Sequence, residues 1–133
     1  MEILRDFDLS KLNTFGIKAK ARFFVEIKNE ADLSVLFNVP EFKNNKKLFL
    51  GGGSNILFTK DFNGIIVANR LKGIEKTKED EENVYFRAGG GESWSHFVDF
   101  VVAEGCWGAE NLALIPGTVG AAPVQNIGAY GVE

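Results

Sequence analysis

A chain of 133 residues, 45% hydrophobic and 25% charged, has the length of one ordinary globular domain or of two small subdomains sharing a core, and a fold of that size stands without disulfides or metal. Its single cysteine, Cys106, cannot form an internal disulfide, and a net charge of −3 provides no basic footprint for nucleic acid. No apolar run approaches the ~20 residues of a membrane helix, and the mixed-charge start Met1–Asp6 lacks the apolar centre of a signal peptide, so a soluble cytoplasmic protein is expected.

In chain order, Arg22-Phe23-Phe24-Val25-Glu26-Ile27 is β-branched and aromatic, which predicts a buried strand. Asn29 offers a side-chain oxygen as a helix N-cap, and Glu30 and Asp32 in the first turn complement the helix dipole. Leu33, Leu36 and Phe37 would share the apolar face of that helix, which should end before Pro40. Lys43 to Lys47 reads as a polar, basic turn. Leu48-Phe49-Leu50 is a short strand running directly into Gly51-Gly52-Gly53-Ser54-Asn55, after which Ile56-Leu57-Phe58 resumes the apolar pattern. Gly64 to Ala68 predicts another strand, and a boundary is expected between residues 69 and 73.

Lys76 to Asn83 is charged and lacks apolar residues, as a hairpin turn or a solvated excursion would. Val84 to Ala88 predicts a strand leading into Gly89-Gly90-Gly91. Ser93 can cap the next helix, whose apolar residues Trp94, Phe97, Val98, Val101 and Val102 recur at helical spacing. Gly105 stands where a left-handed residue would close it. From Cys106 onward periodicity fades. The tail is rich in small residues yet poor in charge, which suits backbone packed closely against something better than a flexible linker.

Three glycine-rich segments bear on chemistry. At Gly51, Gly52 and Gly53 a strand feeds a turn whose backbone N–H groups can converge on an anion, and Ser54 and Asn55 add side-chain donors for phosphate oxygens. A dinucleotide fingerprint would need glycine where Ile56 stands, and a P-loop would need a Gly-Lys-Ser/Thr triplet that does not occur. A plain tight turn fits the pentapeptide as well. Gly89 to Gly91 precedes a helix N-terminus and reads most simply as a strand-to-helix turn. Between Ile115 and Gly131, Pro116, Gly117 and Gly120 permit an unusual backbone path. Gln125 and Asn126 supply amides, and Ala121 and Ala122 allow close approach to a planar ring. A buried, irregular connection explains the same residues equally well.

His96, the only histidine, falls among polar helix positions and should be solvated. Cys106 has no partner at motif spacing, so neither a metal site nor a nucleophile is expected. Trp94 belongs to the apolar stripe. Trp107 and Tyr130 either border a ligand or pack. No catalytic triad or carboxylate pair can be read.

Four segments, taken together, resemble the successive signatures of the UDP-N-acetylenolpyruvoylglucosamine reductase family. They are Asn13-Thr14-Phe15-Gly16, Leu50 to Phe58, Glu110 to Gly120, and Pro123 to Gly131. The resemblance implies an α+β fold, an FAD-binding module of the vanillyl-alcohol-oxidase type built from two small subdomains, 1–68 and 69–133. The second would be incomplete and the substrate-binding domain absent. It implies FAD contacts at Gly51, Gly52, Gly53, Ser54 and Asn55 for the diphosphate. For the flavin ring it implies Pro116, Gly117, Thr118, Gly120, Ala121, Ala122, Gln125, Asn126, Ile127 and Gly128.

The family uses NADPH to reduce UDP-N-acetylglucosamine enolpyruvate to UDP-N-acetylmuramate, a peptidoglycan precursor. Some relatives carry serines where Ala121 and Ala122 stand, so only backbone contacts are expected there. The family's general-acid serine and its supporting arginine and glutamate lie further along than Glu133, so no catalytic residue is assigned and these residues alone are expected to be inactive. The alternative is a free-standing flavin- or nucleotide-binding module without catalysis.

Overall fold

The structure, a computed structural model, describes residues 1–131. The chain forms two compact units, one from Met1 to Leu71 and one from Lys72 onward, and each mixes strands with helices in an α+β arrangement.

In the first unit β1 (Ile3–Asp8), β2 (Lys20–Ile27), β3 (Lys46–Leu50) and β4 (Phe62–Asn69) make one sheet in the order β1-β2-β4-β3. β1 runs antiparallel to β2, whereas β2, β4 and β3 are mutually parallel. The continuous apolar runs of β2 and β4 arise because both faces of the sheet are covered. Phe24, Ile66 and Ala68 enter a cluster with Leu9, Leu50 and Phe58, while Phe23, Val25, Ile27, Ile65 and Val67 meet Leu36 and Phe42 on the other face.

Two short helices, α1 (Glu30–Leu36) and α2 (Pro40–Lys43), lead from β2 to β3. Asn29 caps α1 as its composition suggests, with Oδ1 accepting the Asp32 N–H at 3.0 Å. The Asp32 carboxylate in turn accepts the N–H groups of Asn29 and Lys28. Leu36 is fully buried, but Phe37, which still follows the helical path, is 55% exposed and meets Phe42 edge to face. Pro40 opens α2 as well as following α1, since its missing N–H is no loss in a first turn. Residues 43–47 accordingly divide between the end of α2 and the start of β3. Ile56-Leu57-Phe58 forms no strand; Phe58 instead plugs the first core cluster from a loop.

The strand β1 carried no sequence signal, because only Ile3 and Phe7 are even partly buried. Phe7 stacks on Phe24 with ring centroids 4.0 Å apart.

The second unit opens with a hairpin of β5 (Ile74–Glu79) and β6 (Val84–Ala88). The charged stretch 76–83 is therefore strand as far as Glu79 and turn only beyond it. Asp80 fixes that turn by accepting the N–H groups of Glu82 and Asn83. The helix α3 (Trp94–Ala103) follows, with Ser93 as its N-cap and Gly105 left-handed at φ +76 beyond its end. Trp94 and Val98 pack with Leu112 and Ala122, and Val101 is also buried. Val102, assigned to the same stripe by spacing, is 47% exposed, because the stripe that packs is narrower than the apolar run. The tail is ordered by 3-10 turns at Glu110–Leu112, Val119–Ala121 and Ile127–Tyr130. Among the described residues no helix is long and apolar enough to cross a membrane, and no cluster of side chains could hold a metal ion.

Candidate functional site

The five residues Gly51 to Asn55 form an irregular loop between β3 and β4 in the first unit. The segment Asn13 to Gly16 braces it. Buried Asn13 donates from Nδ2 to the carbonyls of Leu9 and Ile17 and accepts the Ile17 N–H on Oδ1, which locks the local turn. Thr14 then donates its N–H to the Gly53 carbonyl at 3.0 Å, with its hydroxyl 3.4 Å from the same oxygen. Gly53 is left-handed at φ +73 and lies so close to the Leu12 carbonyl that no side chain fits there.

Among the described residues, the N–H groups of Gly52, Gly53, Ser54 and Asn55 donate to no protein acceptor. Gly52 and Asn55 are exposed, and Gly51 and Ser54 half-exposed. A run of unclaimed N–H groups on a loop held from behind is a preorganised donor set for an anion.

The second unit contains the other segment. Its backbone is paired edge to edge with the glycine loop before α3. Val119 donates to the Glu92 carbonyl at 2.9 Å, Gly120 to the Gly90 carbonyl at 2.9 Å, and Trp94 to the Gly117 carbonyl at 3.1 Å, around a bridge between Ser93 and Thr118. A β-carbon on Gly120 would stand 2.9 Å from the Gly90 oxygen, so glycine is what lets the two loops meet.

Thr118 is 7% exposed, and its hydroxyl has no partner among the described residues. Burying a hydroxyl without a partner costs on the order of 1–3 kcal/mol, which makes Thr118 an unsatisfied position in this unit. Ala122 is buried in the core with Trp94, Val98 and Leu112, so its methyl group fills the interior of the unit. Gln125 donates from Nε2 to the Pro116 carbonyl at 3.3 Å and so ties the two ends of the segment together. Asn126 is left-handed at φ +55 and exposed; Ala121, Ile127 and Gly128 are half-exposed.

Gly89–Gly91 does more than make the simple turn its composition suggests, and Glu92 carries no signature in the sequence. The structure brings Gly90 and Glu92 against Gly117–Gly120. The legible signal was a third glycine run ahead of a capped helix. Glu92 itself is nearly buried: its carboxylate accepts the Gly73 N–H at 2.8 Å, with Lys72 Nζ at 3.2 Å and His96 Nδ1 at 3.6 Å. The Gly73 N–H, chiefly, holds this carboxyl below its ordinary range, with burial opposing and Lys72 and His96 assisting. His96 is largely solvated, as expected. Trp94 is core, its Nε1–H donating to the Leu112 carbonyl at 2.9 Å. Cys106 is a free, half-buried thiol. Trp107 is 90% exposed and packs into neither core cluster nor turn, while the side chain of Tyr130 lies outside what the structure describes.

Residues 21–133 match the family model described as FAD binding domain. Over its full length the chain is 50% identical to the UDP-N-acetylenolpyruvoylglucosamine reductase of Burkholderia orbicola (strain MC0-3) and 49% identical to that of Amoebophilus asiaticus (strain 5a2). It spans 38% and 39% of those two proteins. Among solved structures it is similar to the UDP-N-acetylenolpyruvylglucosamine reductase of Thermus caldophilus, with a TM-score of 0.62 and 25% identity over 91% of this chain and 40% of that one.

Proposed function

The chain belongs to the FAD binding domain family, as an α+β module, and on that premise we propose that Gly51–Asn55 and Pro116–Gly128 are the segments through which it meets FAD. On this reading the two FAD-binding subdomains, expected at 1–68 and 69–133, are the two compact units, whose boundary falls at Leu71/Lys72. The observation that carries the reading is the donor inventory: unclaimed N–H groups at 52–55 and an unpartnered, buried hydroxyl at Thr118. The first set suits the diphosphate, because N–H groups on a loop that needs no reorganisation favour negative charge. The second supplies one hydroxyl to a polar ring edge, which a planar heterocycle needs and an apolar pocket cannot offer. The residues present therefore fit the cofactor.

FAD, when bound, supplies hydride chemistry that no side chain of this sequence provides. The chain's own residues bind and orient. Thr14 and Asn13 hold the 51–55 loop from behind, Gly90 and Glu92 hold the 117–120 loop, and Ala122 and Trp94 anchor that loop in the core. We assign no proton transfer to any of them. Within a longer polypeptide of the kind these relatives represent, the proposed reaction is the NADPH-dependent reduction of UDP-N-acetylglucosamine enolpyruvate to UDP-N-acetylmuramate, in the cytoplasm.

Titration of the purified chain into FAD, followed by quenching of flavin fluorescence, tests the cofactor. Saturable binding at one FAD per chain is expected, and a folded chain giving no saturable signal would refute binding by these residues alone. NADPH oxidation by an intact polypeptide carrying these residues, accelerated by the enolpyruvyl sugar nucleotide, tests the reaction. A flavin-loaded polypeptide indifferent to that substrate would refute it.

A further inference from the structure

We propose that Glu92 is a positioning residue for the cofactor, acting through the 117–120 loop: its carboxylate fastens the glycine loop 89–92 to the start of β5, and that glycine loop carries the backbone on which Thr118 is hung. The proposal rests on the reading that FAD meets Pro116–Gly128, and it adds to that reading a residue that touches no ligand.

Glu92 is unusual in using every polar group it has. Its N–H donates to the Gly89 carbonyl at 2.9 Å, closing the turn, and its own carbonyl accepts the Val119 N–H at 2.9 Å. Oε1 accepts the Gly73 N–H and Oε2 lies within reach of Lys72 and His96. Three separate pieces of backbone, at 73, 89–92 and 117–120, thus converge on one nearly buried residue. A buried carboxylate is costly unless hydrogen-bonded, and here the bond that matters is the one to the Gly73 N–H. Lys72 and His96 are 59% and 65% exposed, and ion pairs with such solvated partners contribute little.

Removing the carboxylate therefore leaves the Gly73 N–H without an acceptor and takes away one of the two bonds between Gly73 and the 89–92 loop; the other, from the Gly89 N–H to the Gly73 carbonyl at 2.8 Å, holds the loop's first residue but not its Glu92 end. Val119 and Gly120 hang from that loop by N–H donations to the Glu92 and Gly90 carbonyls, so a looser Glu92 end opens those bonds more often and holds Thr118 less firmly. An apolar residue of similar size would fill the volume but would not hold the loop. That distinguishes a positioning role from simple packing.

Amide hydrogen exchange on the whole chain tests this without requiring FAD. In Glu92→Ala the N–H groups of Val119 and Gly120 should exchange about tenfold faster or more, on the order of one lost hydrogen bond to a charged group. The β2 and β4 amides of the other unit should not change. Glu92→Gln keeps an acceptor for Gly73 and should restore most of the protection, with an acceleration of roughly threefold. FAD affinity, measured by fluorescence on the same samples, should fall with the alanine variant and largely recover with glutamine. Unchanged exchange at Val119 and Gly120 in Glu92→Ala overturns the proposal, as does unchanged FAD affinity once those amides are shown to be freed. If the alanine variant loses protection throughout the second unit, Glu92→Gln decides: acceleration confined to Val119 and Gly120 supports the role, and none overturns it. An unsubstituted chain that fails to bind FAD sinks the cofactor reading instead, and the exchange data alone then decide whether Glu92 holds the loop.

Discussion

The carbonyl of Leu12 occupies the space in which any residue other than glycine would carry a β-carbon at position 53. The loop with unclaimed N–H groups therefore owes its shape to a residue 41 positions earlier, and two substitutions separate the reasons glycine is needed. Gly16 and Gly53 are both left-handed, at φ +63 and +73, but a β-carbon on Gly16 would meet nothing within 4 Å. Gly16→Ala should cost about 1–2 kcal/mol from backbone strain alone. Gly53→Ala should cost a further ~1–3 kcal/mol from overpacking against fixed backbone. Urea unfolding followed by circular dichroism measures both, and equal losses would contradict the close approach.

Trp94 offers a second test, because its ring lies in the core and its Nε1–H reaches the Leu112 carbonyl. Trp94→Phe keeps most of the apolar surface and removes the donor. The second unit should lose roughly 1–3 kcal/mol, the cost of leaving a buried acceptor unsatisfied. Chemical unfolding monitored by the remaining Trp107 would show it, and an unchanged midpoint would contradict the bond.

Asp32 predicts an acid dependence. The Lys28 N–H, first, then the Asn29 N–H and the amino terminus hold its carboxyl below the ordinary value of 3.8, against the opposing effect of burial. A carboxylate depressed in the folded state contributes stability that is present above its unfolded value and is lost as pH falls through the folded one. Unfolding midpoints measured downward from about pH 5 should therefore fall, and Asp32→Asn should fall less steeply over the same interval. Parallel profiles for the two proteins would exclude Asp32 as a contributor.

Thr118→Val should act with opposite signs on stability and on binding. Without ligand, replacing an unpartnered buried hydroxyl by a methyl group should raise stability or leave it unchanged, by up to ~1 kcal/mol. With FAD, the loss of one hydrogen bond should weaken affinity by roughly 3- to 10-fold. Thermal melts with and without FAD report both effects, and a variant that binds FAD as well as its parent would remove Thr118 from the site.

Much of this architecture could be read directly from residue order. The β2 and β4 runs, the Asn29 cap, the Ser93 cap and the Trp94–Val101 stripe each carry a local pattern that the packing then uses. The strands β1 and β5 were illegible for a physical reason: they are exposed edges whose side chains bury almost nothing, so neither face imposes alternation. Of the site, the glycine positions were visible but their causes were not. Gly53 answers to Leu12 and Gly120 to Gly90, contacts across 41 and 30 residues of chain that no local spacing encodes. Glu92 was illegible because a single acidic residue beside a glycine run has no pattern at all. Its meaning lies in Gly73 and Val119, which only the fold brings to it.

Amide exchange of the chain with and without saturating FAD tests the assignment most directly. Protection is predicted at the N–H groups of Gly52 to Asn55, which donate to no acceptor among the described residues, with Val119 and Gly120, already bonded within the protein, changing little. FAD that binds while leaving Gly52 to Asn55 as exchangeable as before would contradict it.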